Sequence, residues 1–174
     1  MKIIHFASIR RWVSLAAEIA VIGGVVFAGL AYSGEWQRSQ HEASLTYIEE
    51  FNSGDVLAAR NELYRFIRQK ENMLLVDIPN KARSAFIDRS MQGSEVTAHE
   101  LAVVTLVNFF DSVDLCAKSK VCNRELLEQH LSDYASRFRC LYADFIDRRI
   151  AGDFGASGPF GSGLIALAEK SGDC

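Results

Sequence analysis

The stretch Val13-Ser14-Leu15-Ala16-Ala17-Glu18-Ile19-Ala20-Val21-Ile22-Gly23-Gly24-Val25-Val26-Phe27-Ala28-Gly29-Leu30-Ala31-Tyr32 is apolar or small at every position except Ser14 and Glu18. At about 1.5 Å of rise per residue, a helix of about 20 residues covers the roughly 30 Å hydrocarbon core of a bilayer. The expected fold class is therefore all-α: one N-terminal transmembrane helix followed by a helical-bundle domain. A cleaved signal peptide is the competing reading. If Glu18 breaks the run, Ile19–Ala31 serves as its apolar region, with Ala28 or Ala31 before the cut.

Working outward, Lys2, Arg10 and Arg11 precede the run, and Arg38 is the first basic residue after it. Positive charge stays on the cytoplasmic side, so the N-terminus is expected in the cytoplasm and the large C-terminal part across the membrane. In a bacterial cell this is an inner-membrane protein with its soluble domain in the periplasm. Trp12 suits the near interface, and Tyr32 and Trp36 the far one. Inside the run, Ala17, Ala20, Gly24, Ala28 and Ala31 fall on one stripe at helical spacing. Small residues let a second helix approach closely, so the stripe is a candidate helix–helix interface, although Ala and Gly are common in any membrane helix. Glu18 lies on another face. A carboxylate there either pairs with a partner or reaches toward water. The expected partners are the bilayer itself and an integral membrane protein or a second copy of this chain.

Formal net charge is -3. Residues 1–34 hold Lys2, Arg10, Arg11 and Glu18, which leaves 16 basic residues against 21 acidic ones in the remainder, a net -5. An acidic soluble part lacks the basic face that displaces counterions from phosphate, which argues against nucleic-acid binding. The expected organisation is a cytoplasmic tail and anchor over 1–34, a helical soluble domain over 35–150, and a Gly-rich flexible tail over 151–174.

Within the soluble part, a first helix continues from the membrane through Glu35–Phe51, with Leu45, Ile48 and Phe51 on one side. Asn52-Ser53-Gly54 is a turn signal. A second helix runs from about Asp55 to Met73, with Leu57, Leu63, Tyr64, Phe66 and Ile67 repeating at mostly three- and four-residue steps. Pro79 interrupts, and Lys81–Met91 reads as a short helix with Ala82, Ala85, Phe86 and Ile87 inward. Thr97-Ala98-His99-Glu100 is a capping box that opens a third helix, in which Thr97 and Glu100 satisfy each other's free N–H groups. Ala102, Val103, Leu106, Phe109, Phe110, Val113 and Cys116 form its apolar face. Asn123 caps a fourth helix reaching about Ile150, with Leu127, Leu131, Tyr134, Phe138, Leu141, Tyr142 and Phe145 on its face. The short link Lys118–Cys122 implies that these two helices pack antiparallel. A further short helix is possible at Leu164–Lys170.

The run Val104-Thr105-Leu106-Val107-Asn108-Phe109-Phe110-Asp111-Ser112-Val113 resembles the motif of a bacterial membrane-associated family, the domain of unknown function 4760. The resemblance pairs the double-aromatic-plus-acid step Phe109-Phe110-Asp111 with a short link through Cys122, then Glu125-Leu126-Leu127, and Arg148 or Arg149. It covers the third and fourth helices, and its motifs are apolar. An N-terminal membrane helix is typical of that family, which has no assigned activity, so the resemblance implies architecture and no chemistry. Cys116 and Cys122 stand where apolar residues or Gly are more usual in it.

No catalytic, cofactor-binding or metal-binding constellation emerges, and the chain is expected not to be an enzyme. Cys116 and Cys122 do not match paired CxxC spacing. Two readings stand open for them: a disulfide stapling the helical hairpin in an oxidising compartment, or two buried small hydrophobes. Cys140 lies beside the core face of the fourth helix, and Cys174 is free or the partner of a second bond. His99-Glu100 begins like HExxH, but Val103 stands where the second His belongs. Asp111 and Asp114 share a helix face. Such pairs serve acid–base chemistry when burial separates their pKa values, but are more often solvated or paired, and Lys118 is well placed to pair with Asp114. Two functions remain: a membrane-anchored accessory or interaction subunit of a larger complex, and a membrane-anchored ligand-binding or sensory module with a pocket lined by Tyr134, Phe138 and Tyr142.

Overall fold

In the computed structural model of the protein, the described backbone comprises residues 4–69, 79–92, 97–152 and 160–169. The side chains of residues 4–22, Val26 and residues 151–152 lie outside the described set. The described residues form seven helices and no strand: α1 (Ile4–Phe51), α2 (Gly54–Gln69), α3 (Asn80–Met91), α4 (Ala98–Lys118), α5 (Arg124–Leu141), α6 (Ala143–Gly152) and α7 (Ser162–Ala168). The chain divides into two compact units, Met1–Ser39 and Gln40–Cys174.

The first unit consists of the N-terminal part of α1, which is helical throughout Val13–Tyr32. Among the described residues no helix is long and apolar enough to cross a membrane. Most side chains of the expected span lie outside that set. Val25, Phe27, Leu30 and Tyr32, which are within it, are exposed.

The second unit is built around α4, whose Val103, Leu106, Val107, Phe110 and Val113 are fully buried. The Thr97 side chain accepts the Glu100 N–H and starts the helix. The reciprocal half of the expected capping box is replaced: the Glu100 carboxylate pairs with Arg149 of α6. Nested contacts run outward from the α4–α5 link: Cys116 with Cys122, Phe110 with Tyr134 and Phe138, and His99 with Tyr142. Such nesting defines an antiparallel pair. The link carries Lys120 in the left-handed region at φ 60°, and Gln40 Nε2 of α1 donates to its carbonyl at 2.6 Å. Ser44, fully buried, accepts the Asn123 N–H at 2.7 Å, and Asn123 caps α5 by accepting from Leu126 N–H. This polar seam corrects the expected face of α1: Leu45 is exposed, and Ser44 and Phe51 are the buried positions.

Three other expectations change. The buried side of α2 is Val56, Ala59 and Leu63, while Tyr64 is 63% exposed. On α3 the inward positions are Ser84, Ile87, Asp88 and Met91, with Ala82 and Ala85 exposed, because Ser84 and Asp88 have polar partners on α6. The expected fourth helix is two helices broken at Tyr142. Ser84 Oγ accepts the Asp144 N–H at 2.8 Å, and a side chain inserted into a helix ladder produces such a break. Asp88 then takes Arg148 at 2.6 Å, fixing α6 against α3.

The expected flexible tail gives way over residues 160–169, which pack on the bundle with Leu164 fully buried and Leu167 and Ala168 nearly so. Residues 153–159 and 170–174 of that expectation lie outside the described residues. Two glycines permit the docking. Gly161 adopts φ 80° at the N-cap of α7, a conformation that L side chains rarely adopt. A Cβ on Gly163 would stand 2.5 Å from the Phe110 carbonyl oxygen and 2.6 Å from Asp111 Cα. Gly163→Ala is therefore expected to cost ~1–3 kcal/mol through overpacking, read by denaturant unfolding of the full chain in detergent. Gly34→Ala, with nothing within 4 Å of its Cβ position, leaves stability unchanged or slightly raised.

Candidate functional site

Helix α2 packs against α4, as does α5, but α2 and α5 do not pack closely on each other. The space between them is a cleft of about 530 Å³. One wall is Leu57, Arg60, Asn61, Leu63, Tyr64 and Ile67 of α2, and the other is Tyr134, Arg137, Phe138 and Leu141 of α5 with Tyr142 at the helix break. Ligand pockets commonly occupy about 300–1,000 Å³ with mostly apolar linings and a few placed polar groups.

The cleft's charge is one-sided. Arg60 and Arg137 line it, and among the described residues no acidic side chain does. Arg60 is held by neutral groups: Nη1 donates to the Phe51 carbonyl at 2.8 Å and to Asn52 Oδ1 at 3.1 Å. Its guanidinium lies 4.0 Å from the Phe51 ring centroid and 5.1 Å from that of Tyr134. Its Nε is buried without a hydrogen-bond partner among the described residues. Arg137 is exposed. Neither forms an ion pair among the described residues. Burial raises the pKa of the Tyr134 phenol, and the Arg60 charge pulls it part of the way back.

Behind the cleft wall, Tyr142 Oη lies 3.2 Å from His99 Nε2, and Phe66 stacks on the His99 ring with centroids 3.8 Å apart. His99 is 4% exposed and its Nδ1 has no hydrogen-bond partner among the described residues. Burial lowers its pKa from 6.5 to about 4 and raises that of the Tyr142 phenol. The pair is therefore neutral near pH 7. His99 is too weak a base there and Tyr142 too weak an acid for efficient proton transfer. The Asp111–Asp114 pair is not an acid–base dyad either. Asp111 accepts the Gly161 and Gly163 N–H groups at 2.7 Å each, and Asp114 pairs with Lys118 at 2.6 Å. Burial raises the Asp111 pKa, while the N–H groups of Gly161, Gly163 and Leu164 lower it.

Tyr134, Phe138 and Tyr142, the aromatic set singled out in the sequence, all line the cleft. On the α2 wall, Leu57, Leu63, Tyr64 and Ile67 belong to the face read from periodicity, whereas the cation Arg60 was not legible. Arg60 and Tyr64 lie four apart on one side of α2, but nothing in the sequence states which helix that side faces. Cys116 and Cys122 are bonded to each other. Cys140 is also disulfide-bonded, and Cys174 lies outside the described residues. The candidate interface residues Ala17, Glu18 and Ala20 have side chains outside the described residues, while Gly24, Ala28 and Ala31 are exposed on α1. Among the described residues no group of three His, Cys, Asp or Glu side chains is arranged to hold a metal ion.

No family model matches the chain, and no curated protein or solved structure matches it. The Phe109-Phe110-Asp111 step that carries the resemblance to the domain of unknown function 4760 has a structural role here. Its two rings join the core, and its carboxylate holds the start of α7.

The buried neutral His99 makes stability depend on pH. The unfolded chain protonates near 6.5 and the folded one only near 4, so the unfolded state binds more protons in between. The contribution is full above about pH 6.5 and is lost as pH falls toward 4. The melting temperature of the full chain should fall across pH 6.5–5, and His99→Gln should flatten that slope. An unchanged slope would remove His99 as its source.

Proposed function

We propose that this protein is a single-pass, membrane-anchored accessory or interaction subunit of a larger membrane protein complex, acting by binding and carrying no catalysis of its own. Its N-terminus is cytoplasmic and its helical domain lies across the membrane, which in a bacterium means an inner-membrane protein with a periplasmic domain. The observation that carries this reading is the open face at Gly24 within the helical run Val13–Tyr32. Nothing lies within 4 Å of the position that a Cβ would take there, and Ala28 and Ala31 are exposed on the same stripe. In lipid, close backbone approach is a main source of helix association, so the partner is an integral membrane protein or a second copy of this chain. Export also supports the reading, since the Cys116–Cys122 bond is of the kind that persists in oxidising compartments. The short loop it closes places its stabilisation at the low end of ~2–4 kcal/mol.

A second reading, a membrane-anchored ligand-binding or sensory module, is favoured by the aromatic cleft between α2 and α5. The two readings are compatible, since an accessory subunit can report a bound ligand to its partner.

The test of the leading reading is Gly24→Leu, which keeps the segment apolar but separates the helix backbones. Partners that co-purify with the wild type in mild detergent should be lost at matched membrane levels, and Val25→Leu should retain them. Retention of every partner by Gly24→Leu, or a wild type with none, reduces α1 to an anchor.

A further inference from the structure

We propose that the cleft between α2 and α5 binds an aromatic carboxylate, an organic anion with a planar apolar body and a single carboxylate head. The proposal rests on the ligand-binding reading and adds the class of ligand. Charge complementarity carries it. The chain as a whole is acidic, with a formal net charge of -3, yet the described residues that line the cleft include two guanidinium groups and no carboxylate. Neither Arg60 nor Arg137 is neutralised by an ion pair among the described residues. Arg60 is locked in place by the Phe51 carbonyl and Asn52, so its charge is pre-positioned, while its Nε is buried and unpartnered. A guanidinium recognises a carboxylate through parallel N–H donors, and such charge-assisted bonds are roughly twice as strong as neutral ones.

The shape of the apolar part follows from the rings. Tyr64, Tyr134, Phe138 and Tyr142 line the cleft, and the Tyr134 and Phe138 rings lie 17° from parallel with centroids 6.2 Å apart. Ring faces and edges arranged this way favour a planar aromatic guest, through offset-stacked and edge-to-face contacts. Tyr64, 63% exposed, is free to fold over one side of such a guest. A cationic ligand would face Arg60 and Arg137 with nothing to offset the repulsion. A neutral ligand would cover the Arg60 and Arg137 charges without compensating them.

The experiment uses the full chain in lipid nanodiscs, with empty nanodiscs subtracted. Calorimetric titration compares 2-naphthoate, 2-naphthalenemethanol and 2-naphthylmethylammonium, which share a ring system and differ in head charge. 2-Naphthoate should bind at least about tenfold more tightly than the alcohol, and the ammonium should not bind; tenfold corresponds to about 1.4 kcal/mol. Arg137→Gln alters an exposed side chain, and its unchanged melting temperature shows that the fold is kept. It should weaken 2-naphthoate about tenfold and leave the alcohol unchanged. Tyr64→Ala should weaken both. Equal binding of 2-naphthoate and the alcohol, or an Arg137→Gln variant that binds 2-naphthoate as the wild type does, overturns the anionic class and leaves the ligand site standing. Binding of none of the three probes at millimolar concentration overturns both the class and the ligand-binding reading.

Discussion

The Asp111 carboxylate, on the central helix α4, accepts one N–H from Gly161 on one oxygen and one from Gly163 on the other. Nearly everything at the C-terminal end of the bundle depends on it. Helix α7 has only seven residues, too few to hold itself together in water. It exists because its first turn is capped by this carboxylate from another helix and because Leu164 and Leu167 are buried. Burial works against the arrangement by disfavouring the charge, while the backbone N–H groups favour it. Gly163 sets the approach distance, since any Cβ there would collide with the α4 backbone. One acid and two glycines thus turn a Gly-rich segment into a packed layer.

About one and a half turns further along α4, the α4–α5 link is fixed by different means. The Cys116–Cys122 bond closes the α4–α5 link, Gln40 binds the carbonyl of the left-handed Lys120, and Ser44 takes the Asn123 N–H. With α4 and α5 fixed near their link, α2 lies on α4 without filling the space beside α5. The cleft is the consequence, and its two walls meet where the Arg60 guanidinium lies 5.1 Å from the Tyr134 ring centroid. His99 sits behind the cleft and Tyr142 in its wall, both neutral, which leaves Arg60 and Arg137 as the charges a ligand would meet.

Helix content and the strongest caps were legible in the sequence because they rest on local signals. Thr97 and Asn123 cap where expected, and the apolar face of α4 is read almost completely from its periodicity. Several misreadings, though not that of the α2 face, share one physical cause, which is that polar side chains found tertiary partners. Glu100 left its own capping box for Arg149, Ser84 entered the ladder at Asp144 and broke a helix, and Ser44 displaced Leu45 from the buried face. Periodicity counts apolar residues and is blind to such exchanges. The same blindness applied to Asp111, whose partners lie about fifty residues away among glycines that read as a tail. Within the cleft, the aromatic wall was visible as one helix face, whereas the pairing of that face with Arg60 required the packing of α2 on α4.

Hydrogen exchange on the full chain, comparing wild type with Asp111→Asn, tests most directly whether this carboxylate holds the last helix in place. The substitution keeps the shape and removes the charge that the Gly161 and Gly163 N–H groups bind. The account predicts that amides over residues 161–168 lose most of their protection, while amides at the Cys116–Cys122 end of α4 and α5 keep theirs. Unchanged protection over residues 161–168 would contradict it, and would mean that apolar burial alone keeps α7 on the bundle.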